Sequence, residues 1–127
     1  MTTTLSGGCH CGAVRFRVVV RTFEAIECNC SICTKKGFLH LIVPPEDFEL
    51  VSGKDAQTTY TFGTHTAKHH FCKTCGIHAF YEPRSHPGWF DVNVRCLDDT
   101  GAVMRFNVTP FDGRHWEDNV DEIRRPS

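Results

Sequence analysis

Cys9-His10-Cys11-Gly12-Ala13-Val14-Arg15-Phe16-Arg17-Val18-Val19-Val20 carries the two signals that decide the fold. A cysteine pair one residue apart runs into a glycine, and a strand follows. Val14, Phe16, Val18 and Val20 alternate with Arg15 and Arg17, broken only by Val19, which is the two-residue period of a strand with one buried face. Residues 24–27 read as its return partner. Working outward, the further strand candidates are residues 38–43, 48–51, 58–62, 68–71, 77–82, 89–94 and 103–108. Pro44-Pro45, Ser52-Gly53, Gly63 and the stretches 83–88 and 98–101 separate them. Short strands at nearly even spacing, with turn signals between, describe a mainly β chain, an all-β sandwich or barrel. Short helical turns are expected at residues 31–36 and 116–123, and no long amphipathic helix is found. There is no repeat, low-complexity tract or linker. The 127 residues suffice for one modest core, so residues 1–127 read as a single domain.

Composition removes several classes of function. Lys+Arg 14 against Asp+Glu 15 leaves a net charge of -1, which cannot supply the counterion release that drives bulk nucleic-acid binding. A hydrophobic share of 40% excludes a disordered tail. The longest mainly apolar runs, near residues 18–20 and 38–45, fall far short of the roughly 18 to 20 residues of a membrane span, so no membrane partner is expected. Residues 1–8 carry neither the basic region nor the apolar stretch of a signal peptide. The expected compartment is the cytoplasm, where thiols stay free or bind metal. Eight cysteines and eight histidines in 127 residues then make metal the leading reading.

Seven of the eight cysteines fall into three clusters: Cys9-His10-Cys11-Gly12, Cys28-Asn29-Cys30-Ser31-Ile32-Cys33 and Cys72-Lys73-Thr74-Cys75-Gly76. A tetrahedral zinc ion takes four thiolate or imidazole ligands at about 2.0 to 2.3 Å, and cysteines one or two residues apart can grip it from a tight turn. Gly12 and Gly76 each follow the second cysteine of a pair, where a turn with positive φ lets backbone N–H groups face the sulfurs. The middle cluster has Lys35 and Lys36 before its glycine, Gly37. Cys9, Cys11, Cys72 and Cys75 are therefore expected to form one closed, structural zinc site. Cys28, Cys30 and Cys33 remain as a three-thiolate site with an open fourth position, the mark of catalytic zinc. The alternative is that His40, His69, His70 or His78 closes it.

The order G-x-C-x-C-G, C-x-C-x-x-C and F-C-x-x-C-G, followed by Val92-Asn93-Val94-Arg95-Cys96-Leu97-Asp98, resembles the glutathione-dependent formaldehyde-activating enzyme and centromere protein V family. The likeness runs from Gly7 to about Trp116, and Phe111-Asp112-Gly113-Arg114-His115-Trp116 is more similar to the centromere protein V branch. The resemblance implies a small zinc-stabilised β fold of the Mss4-like kind. It implies the same division, with Cys9, Cys11, Cys72 and Cys75 as structural zinc ligands and Cys28, Cys30 and Cys33 as catalytic ones. It also implies condensation of glutathione with formaldehyde to S-(hydroxymethyl)glutathione, formally a carbon-sulfur lyase run in reverse.

The expected partners are thus a small thiol and a small aldehyde, with no direct nucleic acid because the chain lacks a basic extension. No basic cluster beyond Lys35, Lys36 and Lys68 marks a seat for two carboxylates. The second reading is a non-catalytic, zinc-stabilised protein-interaction module. Cys96 stands alone and reads as a packed strand-end thiol. His69 and His70 share a strand and so face opposite ways, one of them within reach of the open site. Lys35 and Lys36 read as a solvated turn.

Overall fold

The computed structural model describes residues 2–124. In chain order its strands and helices are β1 (Thr3–Gly8), β2 (Arg15–Val20), β3 (Glu24–Cys28), α1 (Ser31–Lys36), β4 (Leu39–Val43), β5 (Phe48–Ser52), β6 (Gln57–Tyr60), β7 (Lys68–Cys72), β8 (Phe80–Glu82), β9 (Phe90–Asn93), α2 (Thr100–Met104), β10 (Asn107–Phe111), α3 (Trp116–Asn119) and α4 (Asp121–Arg124). The mainly β expectation is met. One sheet runs β1-β2-β5 and the other β10-β3-β4-β9-β8-β7-β6. All the pairings are antiparallel except that of β10 with β3.

The alternation in β2 does what its period implies. Phe16, Val18 and Val20 are buried, while Arg17 reaches solvent and pairs with Glu49. This apolar face meets Leu41, Val43, Phe80 and Val92 of the larger sheet in one core. Phe48 of β5 joins the two layers, with its ring centroid 4.5 Å from Phe90, 4.8 Å from Phe80 and 5.8 Å from Phe16. Such aromatic contacts add specific geometry to simple area burial. Among the described residues, no helix is long and apolar enough to cross a membrane.

Two elements differ from the sequence expectation. Residues 3–8 show no hydrophobic alternation, yet they pair with β2 along their whole length, from Thr3 opposite Val20 to Gly8 opposite Arg15. Residues 103–108 are not one strand. The Asp99 side chain accepts from the N–H groups of Gly101 and Ala102 at 2.9 and 3.2 Å, which starts α2 and draws Val103 into it. The strand begins only at Asn107, opposite Glu24 of β3, and runs on to Phe111 opposite Cys28. The helical segment expected at residues 116–123 is present as α3 and α4.

The sheet-to-sheet role of Phe48 is testable by unfolding in urea. Phe48→Ala should lower stability by roughly 2–4 kcal/mol. Val51→Ala, on the same strand but half exposed, should stay within about 0.5 kcal/mol. Equal effects at the two positions would contradict this packing.

Candidate functional site

β7 ends at Cys72 and β1 ends one residue before Cys9, and the turns that follow are built alike. Cys9 N–H donates to the Val14 carbonyl at 3.0 Å, and Cys72 N–H to the Ile77 carbonyl at 3.1 Å. Gly12 and Gly76 close these turns at φ +85° and +76°, conformations that favour glycine. Backbone N–H groups consequently face sulfur. Val14 N–H lies 3.2 Å from Cys9 Sγ, and the N–H groups of Thr74 and Cys75 lie 3.4 and 3.5 Å from Cys72 Sγ. The sulfurs of Cys9, Cys11, Cys72 and Cys75 all stand within 4.8 Å of one another. Cys11 Sγ is 3.6 Å from both Cys9 Sγ and Cys72 Sγ. Four sulfurs bonded at about 2.3 Å to a tetrahedral ion stand about 3.8 Å apart, so this set fits a metal ion and is compatible with zinc. All the cysteines are free thiols.

The second cluster forms where β3 gives way to α1. Cys28 ends the strand, Cys30 caps the helix and Cys33 lies buried in its first turn. Cys33 N–H donates to Cys30 Sγ at 3.4 Å, and the sulfurs of Cys28, Cys30 and Cys33 lie within 4.8 Å of one another. The thiols of Cys28 and Cys33, with the N–H groups of Cys33 and Ile32, hold the Cys30 thiol down to about 2. Cys33 is pushed up, first by its contacts with Cys28 and Cys30 and then by burial. A thiolate stabilised this way is a ready metal ligand. No His, Asp, Glu or further Cys among the described residues completes the set, so none of His40, His69, His70 and His78 closes it here. The segment after β10 packs against it instead. A Cβ on Gly113 would stand 2.3 Å from Cys28 Sγ and 3.0 Å from Cys30 Cβ, so only glycine fits.

Cys28, Cys30 and Cys33 lie on the wall of a cavity of about 540 Å³, a volume suited to a small ligand. Ile26, Ile42 and Phe111 supply apolar wall, and Arg84 and Arg114 bring two guanidinium groups. Arg84 lies over the Trp116 ring at 3.7 Å and pairs with Glu117. Arg114 Nε donates to the Asn29 carbonyl at 3.1 Å. His69 also lines the cavity, stacked on Tyr81 at 4.7 Å. Its Nδ1 lies 3.1 Å from Lys36 Nζ. Burial, then the Lys36 charge, lowers His69 to about 4, so it is neutral at pH 7 and accepts from Lys36. Lys36 itself is not in a solvated turn. Its ammonium sits 4.5 Å from the Tyr81 ring centre and 4.8 Å from that of Phe38. Burial lowers its pKa, while the neighbouring Cys33 sulfur raises it.

The remaining candidates are placed elsewhere. His70 faces away from His69, with Nε2 2.7 Å from Glu82 Oε2 and Nδ1 2.9 Å from Thr59 Oγ1. His78 lines a separate groove and is lowered to about 4 by burial. The Cys96 thiol donates to the His78 carbonyl at 3.6 Å; burial, then Cys9 and Cys75, push it up to about 12. Sequence reasoning missed Arg84, Arg114, Tyr81 and Asp91 as cavity residues. Asp91 alone had a signal, a carboxylate inside the apolar run Trp89-Phe90-Asp91-Val92.

A sequence model of the glutathione-dependent formaldehyde-activating enzyme family matches residues 4–110, which leaves Gly113, Arg114 and Trp116 outside the match. A protein of Halomonas elongata, provisionally named a glutathione-dependent formaldehyde-activating enzyme, is 34% identical over 90 residues. That alignment covers 63% of this chain and 57% of the relative, so the chain spans little more than half of the relative's length. A crystal structure of a Rhodobacter sphaeroides protein superposes with a TM-score of 0.72 at 37% identity, covering 83% of this chain and all of the other. The chain belongs to the glutathione-dependent formaldehyde-activating enzyme family.

Proposed function

We propose that this protein is a single-domain zinc enzyme of the cytoplasm that joins glutathione to formaldehyde, or splits the adduct in the reverse, carbon-sulfur lyase direction. The observation that carries the reading is a three-cysteine cluster without a fourth protein ligand among the described residues, set in the wall of a cavity. Cys9, Cys11, Cys72 and Cys75 would hold a structural zinc ion, and Cys28, Cys30 and Cys33 a catalytic one. Bound at the second site, zinc supplies a Lewis-acid position that lowers the pKa of a thiol or polarises an aldehyde oxygen.

The chain's own residues do the rest. Arg114, whose Nε alone is engaged by the Asn29 carbonyl, offers its guanidinium to a carboxylate of glutathione, and Ile26, Ile42 and Phe111 keep the reacting carbon away from bulk water. Holding thiol and aldehyde together in one cavity replaces a bimolecular encounter with an oriented one. In the reaction the thiol S–H bond breaks, the S–C bond forms and the carbonyl oxygen becomes a hydroxyl. A non-catalytic interaction module would need no cavity beside an open thiol cluster, so this space favours the enzyme reading.

Exchange NMR on mixtures of glutathione and formaldehyde measures the interconversion directly. The zinc-loaded protein should accelerate it, and an unchanged rate would overturn the reading. Arg114→Gln should raise KM for glutathione about tenfold with kcat little changed, as expected for lost uniform binding. Metal analysis with thermal melting separates the two clusters. Cys30→Ser should lose one zinc equivalent and all turnover yet stay folded, whereas Cys72→Ser should unfold or melt far lower. Equal losses of Tm, or turnover that survives loss of the second zinc, would contradict the division.

A further inference from the structure

The cavity contains a second chemical device, on the strands rather than on the cysteine turns. His40 of β4 and Asp91 of β9 both line it. Ile42 is directly opposite Asp91 and Asn93 opposite His40, so the pair is a diagonal cross-strand neighbour on one face. His40 Nδ1 lies 2.6 Å from Asp91 Oδ2, and the residues are 4% and 1% exposed. Burying an imidazole and a carboxylate is costly, and a purely structural pair would be expected to satisfy its remaining polar atoms. Here His40 Nε2 and Asp91 Oδ1 have no hydrogen-bond partner among the described residues. The Tyr81 hydroxyl lies 3.5 Å from the same Nδ1, but a carboxylate can only accept, so in the neutral ring Nδ1–H donates to Asp91 and Nε2 carries the lone pair, a proton acceptor. His69, the other imidazole of the cavity, already receives Lys36 at its Nδ1.

We propose that His40 is the acid-base residue of this site and that Asp91 is its positioning residue. The proposal rests on the glutathione and formaldehyde reading above. His40 Nε2 accepts the proton of the substrate thiol as sulfur bonds to the aldehyde carbon. It returns that proton to the former carbonyl oxygen, which becomes the hydroxyl. One S–H and one C=O π bond are lost, one S–C and one O–H bond are made, and no electron or net proton is exchanged with solvent. Asp91 fixes the tautomer that leaves Nε2 free.

The test uses the full-length, zinc-loaded protein with glutathione and formaldehyde. His40→Gln should lower kcat about 100-fold to 1000-fold, the usual range for a lost acid-base group, while KM for glutathione changes little. Added imidazole should restore turnover to His40→Ala without affecting the wild type, a rescue that lost packing would not produce. Ring-nitrogen NMR of the wild type, which needs no variant to fold, should show the neutral His40 ring protonated at Nδ1 and bare at Nε2. Asp91→Asn should lower kcat and shift that tautomer. A folded His40→Gln with wild-type kcat, a His40→Ala indifferent to imidazole, or an Nε2–H tautomer in the wild type would each overturn the proposal while leaving the reaction assignment standing. An inactive wild type would overturn the reaction assignment, and this proposal with it.

Discussion

The crowding of sulfur is the constraint on which the rest depends. Four thiolates near 4 Å apart repel one another by about 4 kcal/mol per pair at an effective dielectric of 20, so the group Cys9, Cys11, Cys72 and Cys75 is stable as thiolates only around a cation. A cation there would tie the turn between β1 and β2 to the turn after β7. Cys11 and Cys72 are 61 residues apart in sequence, and pinning them removes much of the chain's freedom before folding. Phe16, Phe48, Phe80 and Phe90 fill the space between the small sheet and the large one.

The second cluster uses the same donor atoms in a different setting. In the first, two separate turns each supply two cysteines and their backbone N–H groups face the sulfurs. In the second, all the sulfurs come from one strand end and one helix start, so one side of the cluster stays free of protein ligands. Gly113 brings the segment after β10 against Cys28 on one flank. That segment also carries Arg114 and Trp116 to the cavity, beyond the part of the chain that matches the family.

What could be read from sequence was local. Ligand spacing within a turn is a property of three or four residues, so the three cysteine clusters were visible at once, as was the alternation of β2. The helix expected at residues 31–36 is present, and Gly37 stops it at φ +62°. The strand at residues 3–8 was hidden because its identity comes from its partner, and Val103 was misassigned because one capping carboxylate, Asp99, outweighed its β preference. The cavity was the least legible feature. His40, Asp91, Arg84 and Arg114 sit on separate elements, and only the register of β4 with β9 and the return of the chain after β10 bring them together.

Crystallography with anomalous scattering at the zinc absorption edge tests the division of the cysteines most directly. The account predicts two zinc peaks per chain. One should be bounded by the sulfurs of Cys9, Cys11, Cys72 and Cys75; the other should have the sulfurs of Cys28, Cys30 and Cys33 and a fourth ligand that is not a protein side chain. A single peak, or a second zinc closed by a fourth side chain, would contradict it.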